Sequence, residues 1–209
     1  MELELERHLE KVRHTMYEVD RIVSSHKYPS DKRTVMVMGL LSTIDGHLGD
    51  MLRLIKHGGT YGSVGALARD VLKGTRYGLW ITSCATDEQI LRIEQDDEFP
   101  LTMPEMIKEI ETAYSKDSFF ENLKNHWATQ LYKYSRSGIV NLGRWSVDAN
   151  SRLQYDEEEI REITTIAILC IVLLAGKFVA SQGHLADSKS LETLAGDYAN
   201  RPTTKSSGV

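Results

Sequence analysis

The sequence has few cysteines and no apolar leader segment at its N-terminus. Its 209 residues include only Cys84 and Cys170, which lie far apart in apolar stretches. Two such cysteines do not make the disulfide framework of a small secreted protein, so we expect reduced, buried thiols. The first 14 residues, MELELERHLEKVRH, are highly charged and have no continuous apolar core. They do not resemble a signal peptide, and we expect a cytoplasmic protein.

The sequence also lacks an excess of basic residues. Lysine and arginine total 25 against 30 aspartates and glutamates, which gives a formal net charge of −5. This balance argues against a dedicated polyanion-binding protein, although a local basic patch remains compatible with it. The hydrophobic content of 41% and the charged content of 26% are ordinary for a globular protein.

A long uninterrupted hydrophobic segment is missing as well. The longest apolar run, residues 166–175, reads IAILCIVLLA. A membrane-spanning helix needs about 20 apolar residues, and this run is bordered by Arg161, Glu162 and Lys177. We therefore expect a helix buried in a protein core and no membrane partner.

Hydrophobic spacing of three and four residues recurs along the chain and predicts an all-α fold. In the first segment the seam consists of Leu5, Leu9, Val12, Met16, Val19 and Val23. We predict one helical-bundle domain over residues 1–200 and a disordered tail over 201–209. The predicted helices cover 2–25, 31–56, 63–85 (with Ser63 as N-cap), 88–94, 103–114, 118–135, a long helix that opens at 156–159, and 190–199.

Glycines within two of these helices predict close helix contacts. Gly39, Gly46 and Gly49 lower the helix propensity of the second helix, each by up to about 1 kcal/mol relative to alanine. We expect a neighbouring backbone to approach them. Gly74 and Gly78 are four residues apart in the third helix, where they predict a flat face for another helix.

Motifs for nucleotide or metal chemistry are missing too. The sequence contains no GxxxxGK[ST] segment and no GxGxxG segment after a strand. The glycine-rich residues 57–62 are better explained as a connection between helices. Glu10 and His14 are four residues apart, but no third metal ligand follows at a suggestive spacing. Glu121 and His126 could suggest acid–base chemistry, but their five-residue separation does not align them on a helix. We expect no cofactor and no metal.

Basic and aromatic residues alternate in one stretch near residue 136. Such a mixture can hold single-stranded nucleic acid by stacking and phosphate contacts. Arginines that cap helix ends and cover apolar surface are the more frequent explanation of this pattern. The residues are Tyr132, Lys133, Tyr134, Arg136, Arg144 and Trp145.

A set of short motifs lies between residues 40 and 198: His47, YGS at 61–63, AL at 66–67, Arg69, GLWITSCATDEQ at 78–89, PEMI at 104–107, LY at 131–132 and the last long apolar helix. With these motifs the chain resembles an uncharacterised bacterial all-helical family related to the HEPN superfamily. Members of that superfamily are helical bundles, often dimeric, and many are RNA-cleaving toxins, antiphage effectors or their partners. The resemblance implies a HEPN-like bundle in a toxin–antitoxin or phage-defence system.

Two departures from the family pattern favour binding over catalysis. Lys73 stands where the family has a glutamate, and Arg136 stands where it tends to have a histidine. The Arg-x4–6-His pair of HEPN nucleases has no convincing copy, because Arg53 and His57 have one intervening residue too few. Arginine stays protonated and cannot act as a base near neutral pH.

We therefore expect a homodimeric protein that binds RNA, a nucleotide or a protein partner. The predicted dimer rests on the seam of the first helix and on the glycines of the third. Two alternatives remain: a ribonuclease with an unconventional site, and a purely structural interaction module. The candidate catalytic residues are His47, Arg69 and Arg136; the candidate binding residues are Arg69, Lys73, Arg76, Arg136 and Arg144.

Overall fold

Within the part of the chain that the structure describes, one apolar helix lies at the centre and four other helices pack against it. A computed structural model describes residues 2–57, 61–96, 98–117, 120–121 and 157–199. The residues in these ranges contain no strand, which confirms the all-α prediction for this part of the chain. The predicted helix 118–135 falls almost entirely outside the described residues, as does the predicted tail. The helices are α1 (Glu2–Ser24), α2 (Lys32–Lys56), α3 (Tyr61–Ser83), α4 (Asp87–Asp96), α5 (Met103–Ala113), α6 (Glu157–Ser181) and α7 (Leu185–Ala199).

The central helix α6 is the predicted buried helix. Glu157, Glu158 and Glu159 form its first turn, where negative charge is favourable against the helix dipole. The apolar run that follows is buried on all sides, and α6 packs against α1, α2, α3 and α7. By length and composition α6 could cross a membrane, but 83% of its most apolar window lies inside the fold. A core helix meets the same criteria, so its burial supports the core assignment.

Helix α1 covers one side of α6 with its predicted apolar seam. Val12 and Val19 are 0% and 3% exposed, so the seam is used within one molecule. It therefore gives no support to a dimer formed through α1. Polar contacts fix the register of this packing, because His8 Nε2 lies 2.9 Å from the Thr164 hydroxyl.

Capping residues set several of the helix starts. Asp31 accepts a 3.0 Å hydrogen bond from the Thr34 amide at the start of α2. Thr86 and Gln89 cap each other at the start of α4. The N-cap prediction for Ser63 is wrong, because α3 already includes Tyr61 and Ser63 has helical backbone. A capping residue stands outside the helix with non-helical dihedral angles.

The glycines of α2 and α3 differ in their surroundings. A Cβ atom added at Gly39, Gly46 or Gly49 would meet nothing within 4 Å, so the predicted close approach to these three is wrong. Gly74 and Gly78 confirm their prediction. A Cβ at Gly74 would lie 3.1 Å from Ile44 of α2, and one at Gly78 would lie 2.6 Å from Leu174 of α6.

Helix α5 closes the outer side of α3. The Trp80 indole is fully buried, and its Nε1 donates a 2.6 Å hydrogen bond to Glu109 of α5. The hydroxyls of Ser83 and Tyr114 are also hydrogen-bonded to each other. These contacts fix the last turns of α3, and the candidate site lies on the preceding turns of the same helix.

Candidate functional site

Three of the predicted binding residues lie on one side of α3. Arg69, Lys73 and Arg76 follow one another at intervals of four and three residues, which places them on adjacent turns. Arg69 and Lys73 are exposed, and Arg76 is half-buried. In the described part of the chain, neither Arg69 nor Lys73 pairs with a carboxylate. We call these three residues the cationic surface of α3.

Many other cations of the protein are paired. Arg21 lies 2.7 Å from Glu18, and Arg53 lies 2.7 Å from Asp50. Lys177 is only 13% exposed and contacts Asp117 at 2.5 Å. The charges of Arg69 and Lys73 thus remain available to an external anion.

An aromatic stack adjoins the cationic surface of α3. The Lys73 ammonium lies 5.6 Å from the centre of the Tyr77 ring, within the range of a cation–π contact. Tyr77 stacks on Phe99, with ring centres 3.8 Å apart and planes 9° from parallel. Both rings are half-buried, so each keeps some accessible surface. Phe99 is thus packed against the fold, although it lies between α4 and α5.

Arg76 occupies a more enclosed position than the other two cations. Burial lowers the pKa of its guanidinium, and the nearby Cys170 thiol partly opposes this effect. Arginine nevertheless stays protonated in proteins. A half-buried guanidinium is less hydrated than an exposed one, which strengthens its attraction for an anion.

His47 and Arg69 lie on different sides of the α2–α3 pair. The contact of Gly74 with Ile44 shows which side of α3 faces α2. Arg69 precedes Gly74 by five residues, so it points about 140° away from that side. His47 is half-buried on α2, and within the described residues no hydrogen bond joins it to Arg69. Arg136 and Arg144 lie outside the described residues.

A groove lies between α1 and α2 and was not predicted from the sequence. It has a volume of about 540 Å³ and mixes acidic, basic and apolar side chains. Burial and the neighbouring Asp20 raise the pKa of Asp45 in its wall. No single stretch of sequence signals this groove, because its two walls come from separate helices. The lining residues are Arg13, Met16, Tyr17, Asp20, Asp45, Gly49, Leu52, Arg53, Lys56 and His57.

A histidine cluster at one end of the bundle was also missed. His26 Nε2 lies 2.7 Å from Asp187, and the rings of His26 and His184 stack with centres 3.6 Å apart. Tyr28 contacts both histidines edge-on. Stacked imidazoles do not point their nitrogens at a common ion. No group of three or more potential metal ligands converges within the described ranges.

No match to the chain was found among models of protein families, curated proteins or solved structures. The likeness to the HEPN superfamily therefore stays a prediction from the sequence.

Proposed function

We propose that this protein is a HEPN-like helical bundle that binds single-stranded RNA through the cationic surface of α3. One observation carries the proposal. Arg69 and Lys73 are exposed on successive turns without a carboxylate partner in the described residues, beside the Tyr77–Phe99 stack. This supports recognition of a phosphate backbone next to partly accessible aromatic rings.

The chemistry of these side chains suits RNA better than a protein partner. A guanidinium can hold two phosphate oxygens at once, and an ammonium adds a compact charge beside it. Aromatic rings near such cations offer stacking surfaces to unpaired bases. Because the protein carries a net charge of −5, binding depends on this local surface and weakens as salt screens it.

Binding without cleavage agrees with the departures from the family pattern. Arginine replaces the expected histidine at Arg136, and arginine cannot remove a proton from the RNA 2′-hydroxyl. Arg69 points away from α2, the helix that carries His47. We therefore place the protein among the binding members of a toxin–antitoxin or phage-defence system, with the homodimer resting on the resemblance alone.

The test measures binding of a fluorescent single-stranded RNA by anisotropy across a range of salt concentrations. The double variant R69A/K73A should bind at least about tenfold more weakly. Loss of two phosphate contacts should also reduce the slope of log K against log salt by about 1.4. The matched control is K108A/K189A, which removes two exposed lysines from α5 and α7.

Equal binding by the wild type and R69A/K73A would overturn the proposal, as would equal weakening by the control pair. RNA degradation in the same samples, abolished by His47→Ala in a folded protein, would replace the proposal with the ribonuclease alternative. Capture of one stoichiometric protein with no affinity for RNA would replace it with the structural alternative.

A further inference from the structure

The groove between α1 and α2 exists because both helices pack on α6 more than on each other. Its volume of about 540 Å³ lies within the usual range of about 300–1,000 Å³ for small-molecule sites. Met16 and Leu52 supply apolar surface inside it, and Tyr17 stands in its wall with 62% of its surface exposed. The groove therefore combines adequate size, an apolar lining and an accessible aromatic ring.

Opposite charges occupy different parts of the groove. Asp20 of α1 and Asp45 of α2 both line the groove, and the charge of Asp20 contributes to the raised pKa of Asp45. From this pair, α2 runs on for 11 residues to Lys56, a distance of about 16 Å at 1.5 Å per residue. Helix α1 runs back for seven residues to Arg13, about 10 Å away. The groove thus has an acidic part and a basic part.

Several of these charged groups lack a partner inside the molecule. The side chain of Asp45 is half-buried, and its carboxylate makes no hydrogen bond or ion pair in the part of the chain that the structure describes. The side chains of Lys56 and His57 are likewise not ion-paired there. Arg13 and Arg53 are paired, with Glu10 and Asp50. A partly desolvated carboxylate without a donor is unfavourable, so a ligand that donates hydrogen bonds to Asp45 would relieve this cost.

The spacing of these charges restricts the ligand. A free amino acid carries its amine and carboxylate on one carbon, which is too short to reach both parts. A polyamine has no anionic group for Lys56. A nucleotide places the donor groups of its base and its phosphates at opposite ends, with a flat ring that suits Tyr17. Exocyclic amino groups of bases donate to carboxylates, as cytosine N4 does to aspartate.

We propose that this groove binds a nucleoside polyphosphate whose base carries an amino group. The base amino group donates to Asp45 and Asp20, and the ring lies against Tyr17. The phosphates reach Lys56 and His57, with Arg13 and Arg53 nearby. This site lies between α1 and α2 and is separate from the cationic surface, which lies on α3.

The test compares ATP, GTP, CTP and UTP by isothermal titration with the full chain. The three nucleotides with amino-bearing bases should bind at least about tenfold more tightly than UTP, because their amino groups donate hydrogen bonds to a charged carboxylate. Asp45→Asn should remove most of this discrimination. Lys56→Glu should weaken binding of all four nucleotides at least about tenfold, whereas the matched control Lys189→Glu should leave it unchanged.

Three results would overturn the proposal: no heat of binding with any of the four at millimolar concentration, UTP binding equal to the others, or an equal effect of Lys56→Glu and Lys189→Glu. Its failure is distinguishable from failure of the RNA proposal. R69A/K73A should keep nucleotide binding, and Lys56→Glu should keep the part of RNA binding that depends on Arg69 and Lys73.

Discussion

Helices α2 and α3 both contain glycines within their lengths, but among those whose surroundings the structure describes only Gly74 and Gly78 of α3 lie in close contacts. Alanine at Gly46 of α2 would point into open space, whereas alanine at Gly78 of α3 would meet the tip of Leu174 at 2.6 Å. By composition alone, the glycines predict close helix contacts equally for both helices. Close packing follows only in α3, where Gly74 lies against α2 and Gly78 lies against α6.

The difference follows from the face on which each glycine lies. Gly39 and Gly46 are seven residues apart and share the exposed side of α2 with Thr43. The buried stripe of α2, which includes Ile44 and Leu48, lies on the other side. Gly74 and Gly78 instead lie beside the buried residues of α3. A glycine therefore predicts a close contact only when its position also falls on the apolar face.

Gly78→Ala should have the largest effect and should destabilise the protein. The added methyl group would lie 2.6 Å from the tip of Leu174, so this fully buried side chain must shift within the packed core. Overpacking of this kind costs about 1–3 kcal/mol, and the gain in helix propensity of up to about 1 kcal/mol offsets part of it. We expect a net loss of about 1–2 kcal/mol in the free energy of unfolding, measured by urea denaturation.

The second variant for this test is Leu174→Ala, which removes the atoms that the methyl group would meet. In that background Gly78→Ala should change sign and stabilise the protein, because only the propensity gain is left. A loss of equal size in both backgrounds would show that Leu174 is not the reason for the glycine.

Gly46→Ala should have a smaller effect of the opposite sign. Its Cβ would meet no atom within 4 Å, so alanine brings only the propensity gain of up to about 1 kcal/mol. We expect the midpoint of thermal unfolding to rise by about 2–4 °C. A destabilised Gly46→Ala would mean that another surface, such as a second copy of the chain, covers this side of α2.

Much of this fold could be predicted from local sequence patterns. The continuous apolar run at 166–175 predicted the buried helix α6, and the acidic residues at 156–159 marked its start. The seam of α1 was also correct, but spacing cannot tell whether a seam faces another chain or the same one. Here it faces α6.

The sites were harder to predict because they join distant residues. His26 and Asp187 are 161 positions apart, and no local pattern connects them. The α1–α2 groove likewise depends on how two helices diverge over α6. That Arg69 and Lys73 lie on adjacent turns could be predicted, because a single helix carries both.

Asp45→Asn should have the smallest effect, and its sign depends on pH. Asp45 on α2 and Arg76 on α3 are both half-buried, and burial shifts the pKa of each towards its neutral form. Arginine does not lose its proton in the usual pH range, but an aspartate can become neutral by gaining one. Because the pKa of Asp45 is raised on folding, its contribution to stability is present below the unfolded pKa of about 3.9. That contribution is lost as pH rises through the folded pKa. Asparagine avoids this loss, so Asp45→Asn should raise the unfolding midpoint at pH 7 by a few degrees at most and leave it nearly unchanged at pH 3.5.

Asp50→Asn is the matched control, since Asp50 is exposed and paired with Arg53. A gain from Asp45→Asn that was equal at both pH values would show that the charge of Asp45 is not its cause.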